Sequence, residues 1–407
     1  MKREKPMEWT AARALLLAAV SPVGTETVTL PECAGRVLAE DAAAKEDVPA
    51  FDRSPYDGYA FRAADSLGAS EAEPVVLRIL EEVPAGAVPT LPVTAGTATK
   101  VLTGAPVPPG ADAVINYEAT EFTPMTVTLR TGVKPGSNIV RRGEDVRAGA
   151  VLLRAGRPID AGGAGVLAAQ GIYAPTVYRR PRVAILSTGS ELVEADAAEV
   201  GPGKIRNSNA CMLSAALGLR GFVPVYLGIA GDDAEAIRAK LEQGLDSCDA
   251  VVCTGGVSVG DYDLTPDAME RAGVQMLLRG VALKPGMACA YGVRGGKPVC
   301  ALSGNPASSL TNFYALALPA LLRLAGRADA VPEELTLTLK SAFPKPSRGV
   351  RLLRGRLDLT GGRAELALPA GQGNVVLSSA VDADAMAIVP AGSGPLAAGT
   401  QLRGFRI

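Results

Sequence analysis

Apolar residues along this chain keep two rhythms. Trp9, Ala12, Leu16 and Ala19 recur at helical spacing and predict an amphipathic opening helix. The pattern then shifts to short alternating runs, clearest at 74–80, 113–117 and 126–130, broken by Pro and Gly, which predict a β-rich lobe reaching to about Asp145. Across 146–174 a short strand, a Gly-rich turn at 162–165 and a helical AGVLAAQG follow. From Arg182 the pattern becomes strand, loop, helix: RVAILST, NACMLSAALGLRG, VPVYLGIA, a helix over 234–244, AVVCT, a short helix, strands near Gln275 and over 288–291, PVCAL, and an apolar helix over 307–324. Such alternation implies a mostly parallel sheet covered on both faces, with ligands bound beyond the carboxyl ends of its strands. ELTLTLK, VRLLRGRLDL and AELALP return to alternation and predict a small C-terminal β-domain.

These changes of rhythm divide the chain into a mixed connecting domain (1–44 with 146–177), the β-rich lobe (45–145), an α/β domain (178–327) and the C-terminal β-domain (328–407).

Composition removes whole classes of chemistry. The 407 residues include no histidine, so His-based triads and His-ligated zinc are excluded, and catalysis must rest on carboxylates, Lys, Arg, backbone amides and oxygen-bound hard metal ions. A net charge of −1 and a pI near 5.9 supply no basic field for nucleic acid. Six cysteines without C-x-x-C spacing, several inside apolar runs, read as reduced, buried packing residues. The N-terminus superficially resembles a signal peptide, but Glu4, Glu8 and the helical spacing point to a cytoplasmic protein, and no run of 18 apolar residues predicts a membrane span.

The polar loops fall at the predicted strand ends: Ser187, Thr188, Gly189 and Glu191; Asp232 and Asp233; Thr254, Gly255, Gly256, Ser258, Asp261 and Asp263; and Ser303, Gly304, Asn305, Pro306 and Ser308. Gly255 and Gly256 let backbone amides approach an anion, and the aspartates beyond them offer carboxylates to a divalent cation, which together suit a phosphorylated or nucleotide-bearing substrate handled with magnesium. The same residues also read as a tight turn before a helix at 266–272 capped by Asp263 or Thr265. Asn305, Ser308 and Ser309 start the long apolar helix, where an anion is a natural occupant, and Lys284 of LKPG adds a positive charge. Asp57 also reads as a turn cap, Glu191 as a helix cap, and Asp232 with Asp233 as the start of the next helix. No Walker A pattern and no G-x-G-x-x-G after a strand is present.

SPYDGYAF, TGAPVPPGADAV, RRGEDV, STGSEL, TGGVSVGDYD, LKPG, SGNPASS and LLRG occur in this order. Together they resemble the molybdopterin molybdenumtransferases, the MoeA family that includes the gephyrin E-domain. The resemblance implies an adenylyltransferase-like α/β/α domain, a β-rich lobe, a small mixed α/β connecting domain that serves dimerisation, and a C-terminal β-barrel-like domain. It implies insertion of molybdenum from molybdate, as co-substrate, into adenylylated molybdopterin with release of AMP and with Mg2+ as cofactor. It also implies a homodimer with a cleft shared between subunits, and the molybdopterin adenylyltransferase and recipient molybdoenzymes as partners. By the same resemblance, Asp57 and Thr103 match positions reaching the partner's cleft, and Asp145 matches a further acidic position. Glu191, Asp232 and Asp263 match carboxylates of the substrate and metal site, Lys284 a lysine on substrate phosphate or molybdate, and Arg354 an arginine of the oxyanion site.

The chain departs from its relatives' pattern at Met287 and Gly280, where lysines are common, at Ser303, where proline is common, and at Asn374, where serine is common. Two other readings remain: molybdopterin adenylylation, against which the flanking domains argue, and a scaffold that binds the precursor without turnover, which the lost lysines keep open.

Overall fold

Arg182–Thr188, Ala250–Thr254 and Lys297–Leu302 are buried along almost their whole length, so each must have cover on both faces. The computed structural model describes residues 5–257 and 264–407. They form two units: one comprises residues up to Glu40 with 154–165 and 173–407, the other residues 41–153 with 166–172.

In the larger unit the three buried strands lie in a six-stranded sheet, ordered Val223–Ala230, Arg182–Thr188, Ala250–Thr254, Lys297–Leu302, Ala290–Arg294, Gln275–Arg279. The first four run parallel; Ala290–Arg294 is antiparallel to both of its neighbours. One face is covered by Ala234–Ser247 and Thr265–Arg271, through Ile237, Leu241, Leu245, Ala268 and Met269. The other is covered by Trp9–Ala18, Ser208–Gly218 and the helical run 306–324, whose core includes Trp9, Leu16, Leu213, Phe313 and Leu321. This is the expected mostly parallel three-layer α/β/α arrangement. Trp9, Ala12 and Leu16 turn inward as their spacing predicts.

Five strands, Glu334–Leu339, Glu365–Ala367, Arg351–Asp358, Ala385–Val389 and Gln401–Arg406, close into a barrel. Leu337, Leu353, Leu366, Ala387 and Val389 fill it, while Leu352, Met386 and Phe405 point outward into the core shared with the 306–324 helix. Period-2 alternation thus serves two cores at once.

The second unit holds a six-stranded sheet ordered Ala113–Asn116, Gly58–Phe61, Thr97–Val101, Val75–Val83, Thr126–Leu129, Thr120–Phe122. Its Gly58–Phe61 strand is buried on both faces, with Tyr59 and Phe61 in one core and Ala60 in another.

Two expectations are corrected. The Gly-rich turn at 162–165 is the first part of a helix, Ala161–Ala169, because Asp160 Oδ1 accepts the Gly163 N–H at 2.7 Å and caps it. Five of the six cysteines are buried, as expected, but Cys211 is exposed. Burial pushes the Cys253 and Cys289 thiols up to about 12. Among the described residues no helix is long and apolar enough to cross a membrane.

Candidate functional site

The Gly-Gly turn is built from backbone necessity. Gly255 (φ +98°) and Gly256 (φ +62°) both adopt left-handed conformations. A Cβ on Gly255 would overlap the Thr188 carbonyl oxygen, and one on Gly256 would overlap Thr265 Oγ1. Thr265 does not cap the helix that it opens. Instead its hydroxyl donates to the Gly255 carbonyl at 3.0 Å and its N–H to the Gly256 carbonyl at 3.1 Å. The Gly255 N–H is taken by the Leu302 carbonyl at 3.0 Å, so the sequence expectation of two free amides reduces to one, that of Gly256, among the described residues. Ser258, Asp261 and Asp263 lie outside the described residues.

Beneath the turn, the strand-end hydroxyls are engaged with one another. Thr254 Oγ1 donates to Ser187 Oγ (3.3 Å), Ser187 Oγ donates to Asn207 Oδ1 (3.0 Å), and Thr188 Oγ1 donates to the Thr254 carbonyl (3.2 Å). All three residues are buried, so they shape the floor of the site. The network continues through residues that the sequence reading did not name: Asn207 Nδ2 donates to the Tyr226 hydroxyl at 2.9 Å, and that hydroxyl donates to Glu194 Oε2 at 2.9 Å. Burial and the Glu194 hydrogen bond push the Tyr226 phenol up to about 12. An Asn directly before an apolar helix is a cap signal, and Asn207 does accept the Ala210 N–H at 3.3 Å.

The acidic side of the site lies beyond Arg182–Thr188 and Val223–Ala230. Asp232 Oδ2 accepts the Ser190 N–H at 2.9 Å, and Ser190 Oγ accepts the Asp232 N–H at 3.1 Å, which locks the two loops together. Asp233 instead caps Ala234–Ser247 through the Ala236 N–H at 2.7 Å. Of the adjacent pair, Asp233 is the helix cap and Asp232 the loop residue. Glu191 is exposed, and its carboxylate lies against the Gly189 backbone with no hydrogen-bond or ion-pair partner among the described residues. No cluster of three or more acidic, Cys or His side chains is present among the described residues.

The cationic side gathers around the start of the 306–324 helix. Lys284 is exposed and its ammonium has no partner among the described residues; its loop is stitched to the barrel by Lys284 N–H to Val350 O and Leu352 N–H to Lys284 O, both at 2.9 Å. Asn312 Nδ2 ties the same loop to the helix by donating to the Gly286 carbonyl at 2.6 Å. Arg354 is fully buried, yet no carboxylate meets it among the described residues. Its guanidinium donates to Thr311 Oγ1 (3.1 Å), Ser379 Oγ (2.9 Å) and, at the 3.5 Å limit, the Gly373 carbonyl, and its Nε has no partner among the described residues. Burial lowers its pKa, the expected direction for a cation removed from water.

Ser308 and Ser309 are buried, and the Ser309 hydroxyl has no hydrogen-bond partner among the described residues. Gly304 and Asn305 are exposed. The helix offers fewer amides than its sequence suggests: Pro306 has none, and the Ala307 N–H goes to the Asn374 carbonyl at 3.1 Å. Asn374 therefore acts here through its backbone. Met287 is 59% exposed.

In the other unit, Asp57 and Thr103 are brought together. Asp57 Oδ1 accepts the Thr103 N–H at 2.6 Å and its hydroxyl at 2.8 Å, and these bonds hold the Asp57 carboxyl below its ordinary range. Asp145 is exposed in the same unit.

Comparison with known proteins agrees along the chain. Residues 7–171 match the MoeA N-terminal region (domains I and II), 184–323 a probable molybdopterin binding domain, and 336–403 the MoeA C-terminal region (domain IV). The chain is 36% identical over 375 residues to a molybdopterin molybdenumtransferase of Staphylococcus epidermidis, covering 91% of this chain and 88% of that protein. It is 35% identical over 377 residues to one of Staphylococcus aureus, covering 92% and 89%. A crystal structure of a molybdopterin biosynthesis MoeA protein from Pyrococcus horikoshii superimposes with a TM-score of 0.86 at 32% identity, over 99% of this chain and 100% of that one. A molybdenum cofactor biosynthesis protein from Pyrococcus furiosus shares the fold, at a TM-score of 0.61 and 20% identity. With strand-end acids, a Gly-Gly turn and a buried unpaired arginine on a scaffold matched from end to end, the chain belongs to the molybdopterin molybdenumtransferase (MoeA) family.

Proposed function

We propose that this protein inserts molybdenum from molybdate into adenylylated molybdopterin with release of AMP, as a magnesium-dependent homodimer in molybdenum cofactor biosynthesis. The observation that carries the reading is Arg354, a buried guanidinium that meets no carboxylate among the described residues, beside the start of the 306–324 helix. A buried cation lacking its counter-ion is costly unless an anion completes the site. Molybdate is a tetrahedral dianion, and Arg354, Lys284 and Ser308 offer it charge-assisted hydrogen bonds.

Glu191 and Asp232 fit magnesium. Both are hard oxygen donors, the Glu191 carboxylate is unpartnered among the described residues, and only Oδ2 of Asp232 is hydrogen-bonded among them, to the Ser190 N–H; Asp263 is the natural third carboxylate. Magnesium commonly takes one or two carboxylates together with substrate phosphate and water. When bound, it supplies positive charge against the pyrophosphate and the departing AMP oxygen. The Gly256 amide and the side-chain-free surface of the turn receive the phosphates, and the Asp232–Ser190 lock fixes the loop that carries Glu191. None of these roles needs histidine. Asp57, Thr103 and Asp145 are assigned to the cleft of the partner subunit.

AMP release from adenylylated molybdopterin, with magnesium and with or without molybdate, tests the reading. Molybdate-dependent release, reduced at least ~100-fold in Glu191→Gln and Asp263→Ala, is the expected result. Tight precursor binding without AMP release would replace it with the scaffold reading, and ATP-dependent adenylylation of molybdopterin would replace it with the adenylyltransferase reading.

A further inference from the structure

Asn209 sits in the first turn of Ser208–Gly218, is 8% exposed, and donates through Nδ2 to the Gly304 carbonyl at 2.8 Å. That carbonyl can only accept, so it fixes the orientation of the carboxamide: nitrogen toward Gly304, oxygen away from it. The oxygen, Asn209 Oδ1, is buried and has no hydrogen-bond partner among the described residues. An unsatisfied buried acceptor is destabilising, and its persistence beside a ligand loop points to a donor that arrives with the ligand. Gly304 faces the Gly-Gly turn: a Cβ on it would lie 3.6 Å from the Gly255 Cα, in ordinary van der Waals contact. The two glycine loops therefore pack side by side, with the Asn209 carboxamide anchored to one of them at Gly304.

We propose that Asn209 is a substrate-recognition residue whose Oδ1 accepts a hydrogen bond from a neutral N–H or O–H donor of the bound substrate. This rests on the functional reading above and deepens it. A carbonyl oxygen repels anions, so neither phosphate nor molybdate is its ligand. The donor belongs either to the pterin ring, as an N–H, or to the ribose of the adenylyl group, as a hydroxyl. Binding draws the oxygen's partner from the substrate while the Gly304 bond holds the carboxamide in place, so recognition needs no new rotamer.

The test measures equilibrium binding of molybdopterin, AMP and molybdate separately to the full-length protein, its Asn209→Leu variant and its Asn209→Asp variant. Asn209→Leu removes the acceptor and the bond to Gly304; Asn209→Asp keeps an acceptor and loses the amide donor. The expected result is a roughly 10- to 100-fold weaker affinity for molybdopterin or for AMP in Asn209→Leu, with molybdate binding unchanged and most of the loss recovered in Asn209→Asp. Loss confined to molybdopterin identifies the pterin N–H as the donor, and loss confined to AMP identifies the ribose hydroxyl. The proposal is overturned if Asn209→Leu binds both ligands within twofold of the parent. It is equally overturned if the two variants lose binding alike, which would mean that Asn209 only holds Gly304. If the leucine variant does not fold, Asn209→Ala, which also removes the acceptor, takes its place with the same outcomes. A parent protein that binds neither molybdopterin nor AMP would fail the functional reading itself, without reference to any variant, and the proposal with it.

Discussion

Arg354→Met separates a binding arginine from a structural one. In the parent, the guanidinium makes two well-formed hydrogen bonds, to Thr311 Oγ1 at 3.1 Å and Ser379 Oγ at 2.9 Å. Hydrogen bonds to a charged group contribute about 1.5–3 kcal/mol each. Against them stands the desolvation of a fully buried cation that meets no carboxylate among the described residues, several kcal/mol even after relaxation. The substitution strands no donor, because the Thr311 hydroxyl already donates to Ala307 O at 2.7 Å and the Ser379 hydroxyl to Val376 O at 2.6 Å. Gln372 bonds only the Arg354 backbone and stays in place. Methionine fills much of the arginine stem's volume and restores an apolar contact. The ligand-free variant should therefore be as stable as the parent or more stable, by up to about 2 kcal/mol.

Molybdate should reverse that order. A ligand at one hundred times its Kd stabilises the protein that binds it by about 2.7 kcal/mol, and a protein that has lost the site gains nothing. Trp9 is the only tryptophan and lies in the same core as Leu352, two residues from Arg354, so its fluorescence during urea unfolding reports on the relevant unit. The expected pattern is a molybdate-dependent midpoint in the parent and a molybdate-independent midpoint, at or above the ligand-free parent, in Arg354→Met. A ligand-free loss of more than about 2 kcal/mol would refute the argument by showing that the charge is structural. A variant whose midpoint still rises with molybdate would refute it from the other side.

The turn and the ion pairs give two further tests. Gly255→Ala forces a Cβ onto the Thr188 carbonyl at φ +98° and should cost well over 1 kcal/mol, whereas Gly362→Ala, at φ +70° with nothing near its would-be Cβ, should cost only about 1 kcal/mol; paired urea midpoints decide. Burial alone would raise the Asp249 carboxyl, but Arg179 Nη1 at 2.6 Å and the Arg182 N–H at 2.8 Å override it and leave it below its ordinary value. A depressed carboxyl contributes stability that is present above its unfolded pKa and lost as pH falls through the folded one. Arg179→Met should thus raise the pH of acid unfolding, and an unchanged acid midpoint would show that the pair contributes nothing.

The α/β architecture was legible because its central strands announce themselves: continuous apolar runs flanked by Gly and polar loops have few other solutions than a doubly covered sheet. The positions of Glu191, Asp232, Gly255 and Gly304 at strand ends followed from that alternation. Local competition was less legible. Asp232 and Asp233 are equivalent as sequence, and only the Ser190 loop, arriving from another strand, decides which of them caps the helix. The run 307–324 predicted one helix, and it is one, but it widens into a π-turn at Phe313–Ala317 just before Pro319, whose missing N–H cannot serve the preceding turn. The unpaired burial of Arg354 was invisible because it depends on a barrel strand meeting a helix more than forty residues away in sequence. The pairing of Ala307 with Asn374 is hidden for the same reason.

Strand order explains how a site without histidine divides its work. The acids follow Val223–Ala230 and Arg182–Thr188 and the Gly-Gly turn follows Ala250–Thr254, while Lys284 lies in the loop between Gln275–Arg279 and Ala290–Arg294 and Arg354 on the barrel strand Arg351–Asp358. In that strand order the Gly-Gly turn lies between the acids and the Lys284 loop. A small oxyanion fills only the cationic pole. The adenylylated molybdopterin proposed above, a nucleotide joined to a second ring system through a pyrophosphate, has the length and the central charge to touch both poles. The acids can then hold a cation against the central phosphates while Arg354 and Lys284 hold a second anion at one end. Each pole offsets charge on its own part of the substrate, and neither requires a side chain that changes protonation near neutral pH.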